Sequence, residues 1–158
     1  MPQYTELDRK DRKILRLLQV NGRMSNLELA EQVGLSPSPC LRRLRNLEAS
    51  GAIRGYSADV DPLAYGLAMT AYLQIKLSRH NTQTVREFED KVSKLPQVLE
   101  CLMLTGDTDY LLKVLVQDLE GFERFIRESV HSIEGVSSVD TSFVYGTIKK
   151  TNVFPELD

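Results

Sequence analysis

Leu35-Ser36-Pro37-Ser38-Pro39-Cys40-Leu41-Arg42-Arg43-Leu44-Arg45-Asn46-Leu47-Glu48 reads as a helix with two unlike faces. Ser36 stands at the cap position, and both prolines fall in the first turn, where backbone amides have no helical acceptor. At about 100° per residue, Cys40, Leu44 and Leu47 share one face, with Leu41 at its edge. The opposite face holds Ser38, Arg42, Arg45 and Asn46, with Arg43 on its flank and Pro39 in the stiffened start. Gly51 closes the helix.

The flanking residues give this helix a setting. Residues 7–20 predict a helix capped by Asp8, with Ile14, Leu15, Leu17 and Leu18 as its apolar stripe, ended by Asn21-Gly22. Ser25-Asn26-Leu27-Glu28 has the form of a capping box and opens a short helix to Val33. Gly34 supplies a left-handed stop, and Leu35 restores an apolar contact. A short helix, a Gly-containing turn and a helix with a polar outer face predict a helix-turn-helix. Arg and Asn side chains read guanine and adenine edges or hold phosphates. A solvated basic helix face is the alternative for Arg42, Arg43 and Arg45. Residues 53–60 read as extended, as in the strand of a winged helix, with Arg54 placed to meet a backbone phosphate or only solvent. Asp61-Pro62 breaks that segment and marks a hinge.

Charge is spread unevenly along the 158 residues. The first 60 carry 10 Lys/Arg and 7 Asp/Glu, a net +3, and the remainder a net −5. A basic first third suggests that only the N-terminal part touches a polyanion. No apolar run approaches the roughly 20 residues that span a bilayer. Met1 to Glu6 lack the basic-then-apolar order of a secretory signal, so a cytoplasmic protein is expected. Cys40 and Cys101 each sit among apolar residues and are expected to be small buried hydrophobes. His80 and His131 belong to no spacing that suggests a metal site.

A second pattern fills the last hundred residues. Residues 67–77 predict a strand, 82–95 an amphipathic helix stopped by Pro96, and 98–105 a strand. A turn at Gly106-Asp107-Thr108-Asp109 leads to a strand at 110–116, a helix at 119–131 and an extended segment at 136–148. The order β-α-β-β-α-β describes a ferredoxin-like sandwich, so the whole chain is expected to be α+β. Its domains are then residues 1–60, a linker at 61–66, and residues 67–158. One sheet face should be covered by helices, and the other carries enough apolar residues to need a partner.

Nothing here has the form of an enzyme. There is no nucleophile–base pair and no glycine-rich phosphate loop, and no cofactor is expected. Asp107 and Asp109 have two readings. Aspartates in a hairpin turn bond their own backbone, and a carboxylate beside free amides can also hold the ammonium group of an amino acid. A non-DNA interaction protein remains a rival for the N-terminal part.

The sequence resembles the Lrp/AsnC family of transcription regulators. The resemblance rests on the stretch from Leu35 to Glu48, on Gly51-Ala52-Ile53-Arg54-Gly55-Tyr56, and on Thr105-Gly106-Asp107-Thr108-Asp109-Tyr110-Leu111-Leu112. It implies a regulator that binds double-stranded DNA and forms homo-oligomers, dimers assembling to octamers, with an amino acid bound between dimers. Ser36, Ser38, Arg42 and Arg43 match the recognition helix. Gly106, Asp107, Thr108 and Asp109 fall in the ligand loop, with Leu104, Thr105 and Tyr110 beside it and Thr141 and Ser142 approaching from another subunit. The apolar surroundings suggest leucine or methionine as effector.

Overall fold

The computed structural model describes residues 6–155. The segments at 1–5 and 156–158, the ends of the two expected domains, lie outside them. Two compact units form: one from the chain up to Asp59 together with the segment from Lys149 onward, the other from Val60 to Ile148.

The first unit is three helices, α1 (Arg9–Val20), α2 (Asn26–Val33) and α3 (Pro37–Ala49). Asp8 caps α1 by accepting the Lys10 and Asp11 amides, and Asp11 reaches back to the Asp8 amide. The same reciprocal box joins Ser25 and Glu28 at α2. Gly34 ends α2 at φ 69°, left-handed backbone that a Cβ disfavours, and the Leu35 amide closes onto the Ala30 carbonyl. The Lys10 ammonium donates to the Val33 carbonyl, a cation on the negative end of α2. Ile14, Leu29, Ala30, Val33, Cys40 and Leu47 are buried together as the core.

Two expectations fail in this unit. Residues 53–60 form no strand and run as irregular chain after the Ile53 amide bonds the Leu47 carbonyl. A strand needs a neighbour to satisfy its amides, and the described residues offer none there. The last segment, expected within residues 67–158, instead joins this unit. The Gln19 side-chain amide donates to the Asn152 carbonyl at 2.8 Å and accepts the Phe154 amide at 3.3 Å. Arg16 donates to the Phe154 carbonyl, and Lys150 pairs with Asp59 at 2.7 Å. Gln19 thus presents both a donor and an acceptor to the backbone of this segment. Gln19→Ala is expected to make the bonds after Lys149 and Lys150 cleave several-fold faster in limited trypsinolysis, with no change in cleavage elsewhere.

The second unit begins with a single 3-10 turn, Pro62–Tyr65, capped by Asp61, where a plain linker was expected at 61–66. Then follow β1 (Met69–Leu77), α4 (Thr82–Ser93), β2 (Val98–Met103), β3 (Tyr110–Val116), α5 (Leu119–Phe125), one π-helical turn (Ile126–Val130) and β4 (Val136–Phe143). The expected helix at 119–131 is therefore an α-helix that widens, with the His131 amide bonding the Ile126 carbonyl. The sheet is antiparallel throughout, in the order β2-β3-β1-β4. That is the predicted ferredoxin-like arrangement.

Burial alternates along the central strands. Ala71, Leu73, Ile75 and Leu77 of β1 and Tyr110, Leu112, Val114 and Val116 of β3 are buried with Phe88 and Val92 of α4 and Phe122 and Phe125 of α5. The other face carries Tyr72, Gln74, Lys76, Leu111, Lys113 and Leu115, exposed or half-buried. Cys40 is buried as expected, but Cys101 is exposed. It lies on β2, an edge strand whose residues after Val98 are all exposed.

Candidate nucleic-acid interface and ligand loop

The outer surface of α3 follows from its registry against the core. Cys40 and Leu47 are buried, which turns Ser38, Arg42, Arg45 and Asn46 to solvent, with Ser36 exposed just before them and Pro39 half-buried. Among the described residues Arg42, Arg45 and Arg54 have no ion-pair partner. Asn26 donates its side-chain amide to the Pro37 carbonyl at 2.9 Å, fixing the start of α3 to α2.

Ser36 occupies the cap position, yet its hydroxyl makes no cap hydrogen bond. Pro39 removes the amide that such a hydroxyl ordinarily accepts. Pro37 removes another, and the Cys40 amide already bonds the Ser36 carbonyl at 3.2 Å. The Ser38 amide is the one donor left in the first turn. The helix start is stiff, but anion binding there falls mainly to side chains.

Arg43 is differently placed from the other arginines. One terminal nitrogen lies 2.6 Å from Asp8 and 2.8 Å from Asp11. It joins the start of α1 to the middle of α3 and orients the polar face without belonging to it. The Asp11 and Lys10 amides and the Arg43 guanidinium, the Asp11 amide foremost, hold the Asp8 carboxyl below its usual range. A depressed carboxylate stabilises the fold above its unfolded pKa of about 3.9 and loses that contribution as pH falls through the folded value. The thermal midpoint is therefore expected to drop on acidification from pH 5 to pH 2.5. In Arg43→Ala it should start slightly lower and drop less.

In the second unit, residues 104–109 join β2 to β3. The Leu104 amide bonds the Asp109 carbonyl at 2.8 Å, closing the loop, and the Asp109 amide bonds the Ile75 carbonyl at 2.9 Å. Gly106 adopts φ 124°, and nothing lies within 4 Å of where a Cβ would stand. Leu104, Thr105, Gly106 and Asp107 are exposed, and Thr108 is half-buried.

The two carboxylates of this loop play unlike parts. Asp109 Oδ2 accepts the Leu77 amide at 2.7 Å, and Oδ1 lies 2.8 Å from His80 Nε2. These partners, the Leu77 amide foremost, hold its carboxyl below the ordinary range. Asp107 has no partner among the described residues. Asp109 takes the turn-building part, and Asp107 stays exposed.

The remaining predicted ligand residues are dispersed. Tyr110 is core: its ring packs at a tilt against Phe88 with centroids 4.6 Å apart, and its hydroxyl donates to Glu89 at 2.9 Å. Thr141 and Ser142 of β4 pair with Leu73 and Tyr72 of β1, whereas the loop meets β1 at Ile75 and Leu77. Thr141 lines a groove of about 900 Å³ with Phe122, Ile126, Val139 and Phe143. Within one chain they do not share a site with the loop. His80, which the sequence reading left aside, does meet it. Its partner lies 29 positions away, and no local pattern signals that contact. No group of three His, Cys, Asp or Glu residues among the described residues could hold a metal ion. No helix among them is long and apolar enough to cross a membrane.

A helix-turn-helix with an exposed basic face, in one chain with a ferredoxin-like unit that carries an open acidic loop, defines a DNA-binding regulator with a ligand domain. Residues 7–54 match the family described as winged helix-turn-helix DNA-binding, and residues 70–154 match the Lrp/AsnC ligand binding domain. The transcriptional regulator AzlB of Bacillus subtilis is 42% identical over 149 residues, covering 94% of this chain and 95% of its own. The leucine-responsive regulatory protein of Escherichia coli K12 is 40% identical over 147 residues, covering 93% and 90%. Among solved structures, a transcriptional regulator of Neisseria meningitidis in complex with L-methionine superposes with a TM-score of 0.90 at 43% identity, covering 95% and 97%. E. coli AsnC superposes at 0.87 with 25% identity, covering 96% and 100%. The chain belongs to the Lrp/AsnC family. It is a DNA-binding transcription regulator with an amino-acid-binding domain, not an enzyme.

Proposed function

We propose that an amino acid bound at the loop 104–109 alters the assembly of this regulator or its affinity for DNA, and that the face of α3 bearing Ser38, Arg42, Arg45 and Asn46 reads the major groove. The observation that carries this reading is the open loop, where Asp107 keeps an unpartnered carboxylate beside exposed backbone. Asp107 takes the ammonium group, and loop amides take the carboxylate. Thr141 and Ser142, remote from the loop within one chain, are supplied by another subunit, which makes the site complete only in an oligomer.

The protein works in the cytoplasm as a dimer that assembles further, through the sheet face bearing Tyr72, Leu111 and Leu115. A dimer presents two α3 helices to successive major grooves, about 34–36 Å apart or a multiple of that. Ligand changes the balance of assemblies only by binding one more tightly than another, so its effect depends on protein concentration. Methionine is the first candidate effector, supported by the Neisseria complex, and leucine the second, supported by the name of the E. coli relative.

A thermal-shift series over the twenty amino acids tests the ligand reading. L-Methionine or L-leucine should raise the midpoint, because a ligand that binds only the folded form stabilises it. No shift with any amino acid would overturn it. A salt titration of operator binding tests the DNA face: affinity should fall steeply with salt as phosphate contacts are screened.

A further inference from the structure

We propose that His80 is a positioning residue for the effector loop: its imidazole holds Asp109, and Asp109 fixes the loop geometry that leaves Asp107 available to an amino group. This rests on the reading of the loop 104–109 as the amino-acid site. His80 lies in the connection from β1 to α4, with its side chain 67% exposed. Asp109 makes four bonds within its own chain. Its amide holds Ile75, its carbonyl holds Leu104, and its two carboxylate oxygens hold Leu77 and His80.

The Leu77 bond explains why a side chain is needed there. The β1–β3 ladder ends at the pair Ile75–Tyr110, and β1 shifts register against β4 between Lys76 and Leu77. Past that point β3 offers no main-chain acceptor, and the Asp109 carboxylate supplies one. His80 closes the other side of the carboxylate. With both oxygens engaged, Asp109 cannot turn outward, and the loop between Leu104 and Asp109 keeps a single base.

The strength of this staple depends on the charge of His80. A histidine gains its proton between about pH 5 and 8, and a charge-assisted hydrogen bond is roughly twice as strong as a neutral one. The charged groups around the pair are Lys76 on β1, Arg79 beside His80, Asp107 in the loop, and Glu89 of α4 behind Tyr110. Of these residue types, histidine is the one whose charge ordinarily changes over that interval. The loop is held more firmly at pH 6 than at pH 8, and an amino acid bound by it is held more tightly at the lower pH.

The test uses the full chain. Hydrogen–deuterium exchange, corrected for the intrinsic pH dependence of amide exchange, is followed in peptides spanning residues 76–80 and 104–110. The wild type should be protected at least three-fold more at pH 6 than at pH 8. His80→Gln keeps a neutral donor and should show no difference. Equal protection at both pH values in the wild type, or the same difference in His80→Gln, overturns the proposal.

Calorimetry with L-methionine gives the second arm. The wild type should bind at least three-fold more tightly at pH 6, and His80→Gln equally at both. Binding by the wild type that does not change with pH also overturns the proposal. If L-methionine gives no heat with either protein while the exchange difference stands, the staple is real and the reading of the loop as a site for that amino acid fails.

Discussion

Replacing Arg42 with alanine is expected to weaken operator binding by about 1–3 kcal/mol, roughly 5- to 150-fold, and to relax sequence preference at one base pair. The expectation rests on where α3 places its arginines. Arg42 projects from the face opposite Cys40 and Leu47 and has no ion pair among the described residues. Its guanidinium is therefore available to fork onto the two acceptors of a guanine edge. Arg42→Lys keeps the charge and loses the fork, so it should retain salt-dependent affinity while losing the base preference. Arg43→Ala should leave the preference intact, because that side chain is engaged with Asp8 and Asp11. Measured affinities across single-base operator variants separate these cases. An Arg42→Ala protein with unchanged affinity and unchanged preference would remove Arg42 from the reading face.

Asp107→Ala is expected to abolish the calorimetric signal for the effector while leaving DNA binding in place. Of the two loop carboxylates, only Asp107 lacks a partner among the described residues, so removing it takes away the counter-charge for an ammonium group without breaking an internal bond. Asp107→Asn tests the charge itself, since Asn supports the same turn chemistry. It too should lose the signal. Asp109→Ala should behave differently. It strands the Leu77 amide and frees His80, so the loop loses its base and effector binding weakens together with local protection from hydrogen exchange. Full heat of binding in Asp107→Ala would show that the loop is only a turn.

Much of this molecule was legible in the sequence because its signals are local. The Ser25–Glu28 box, the Gly34 stop and the Pro37–Pro39 start act over three or four residues, and each formed where expected. The apolar periods of 3.6 and 2 gave the order of the second unit, since a strand or helix must turn its apolar side to a core whatever that core contains. The failures share a cause. A strand at 53–60, a buried Cys101 and a second domain running to residue 158 all depended on what else would lie alongside, which no local pattern states. The π turn at Ile126–Val130 is a further departure for which the local sequence offers no signal.

The sequence by itself determined two kinds of unit, the polar face of the third helix and the position of an acidic turn. These are consequences of spacing along one chain. Tertiary structure decided which charged residues remain free. Arg43 and Arg42 are neighbours, and Asp107 and Asp109 are two apart, yet one of each pair is engaged by a partner 29 or more positions away. Coulomb and hydrogen-bond energies depend on distance in space, so only the folded chain separates the residue that holds the frame from the one left for a ligand.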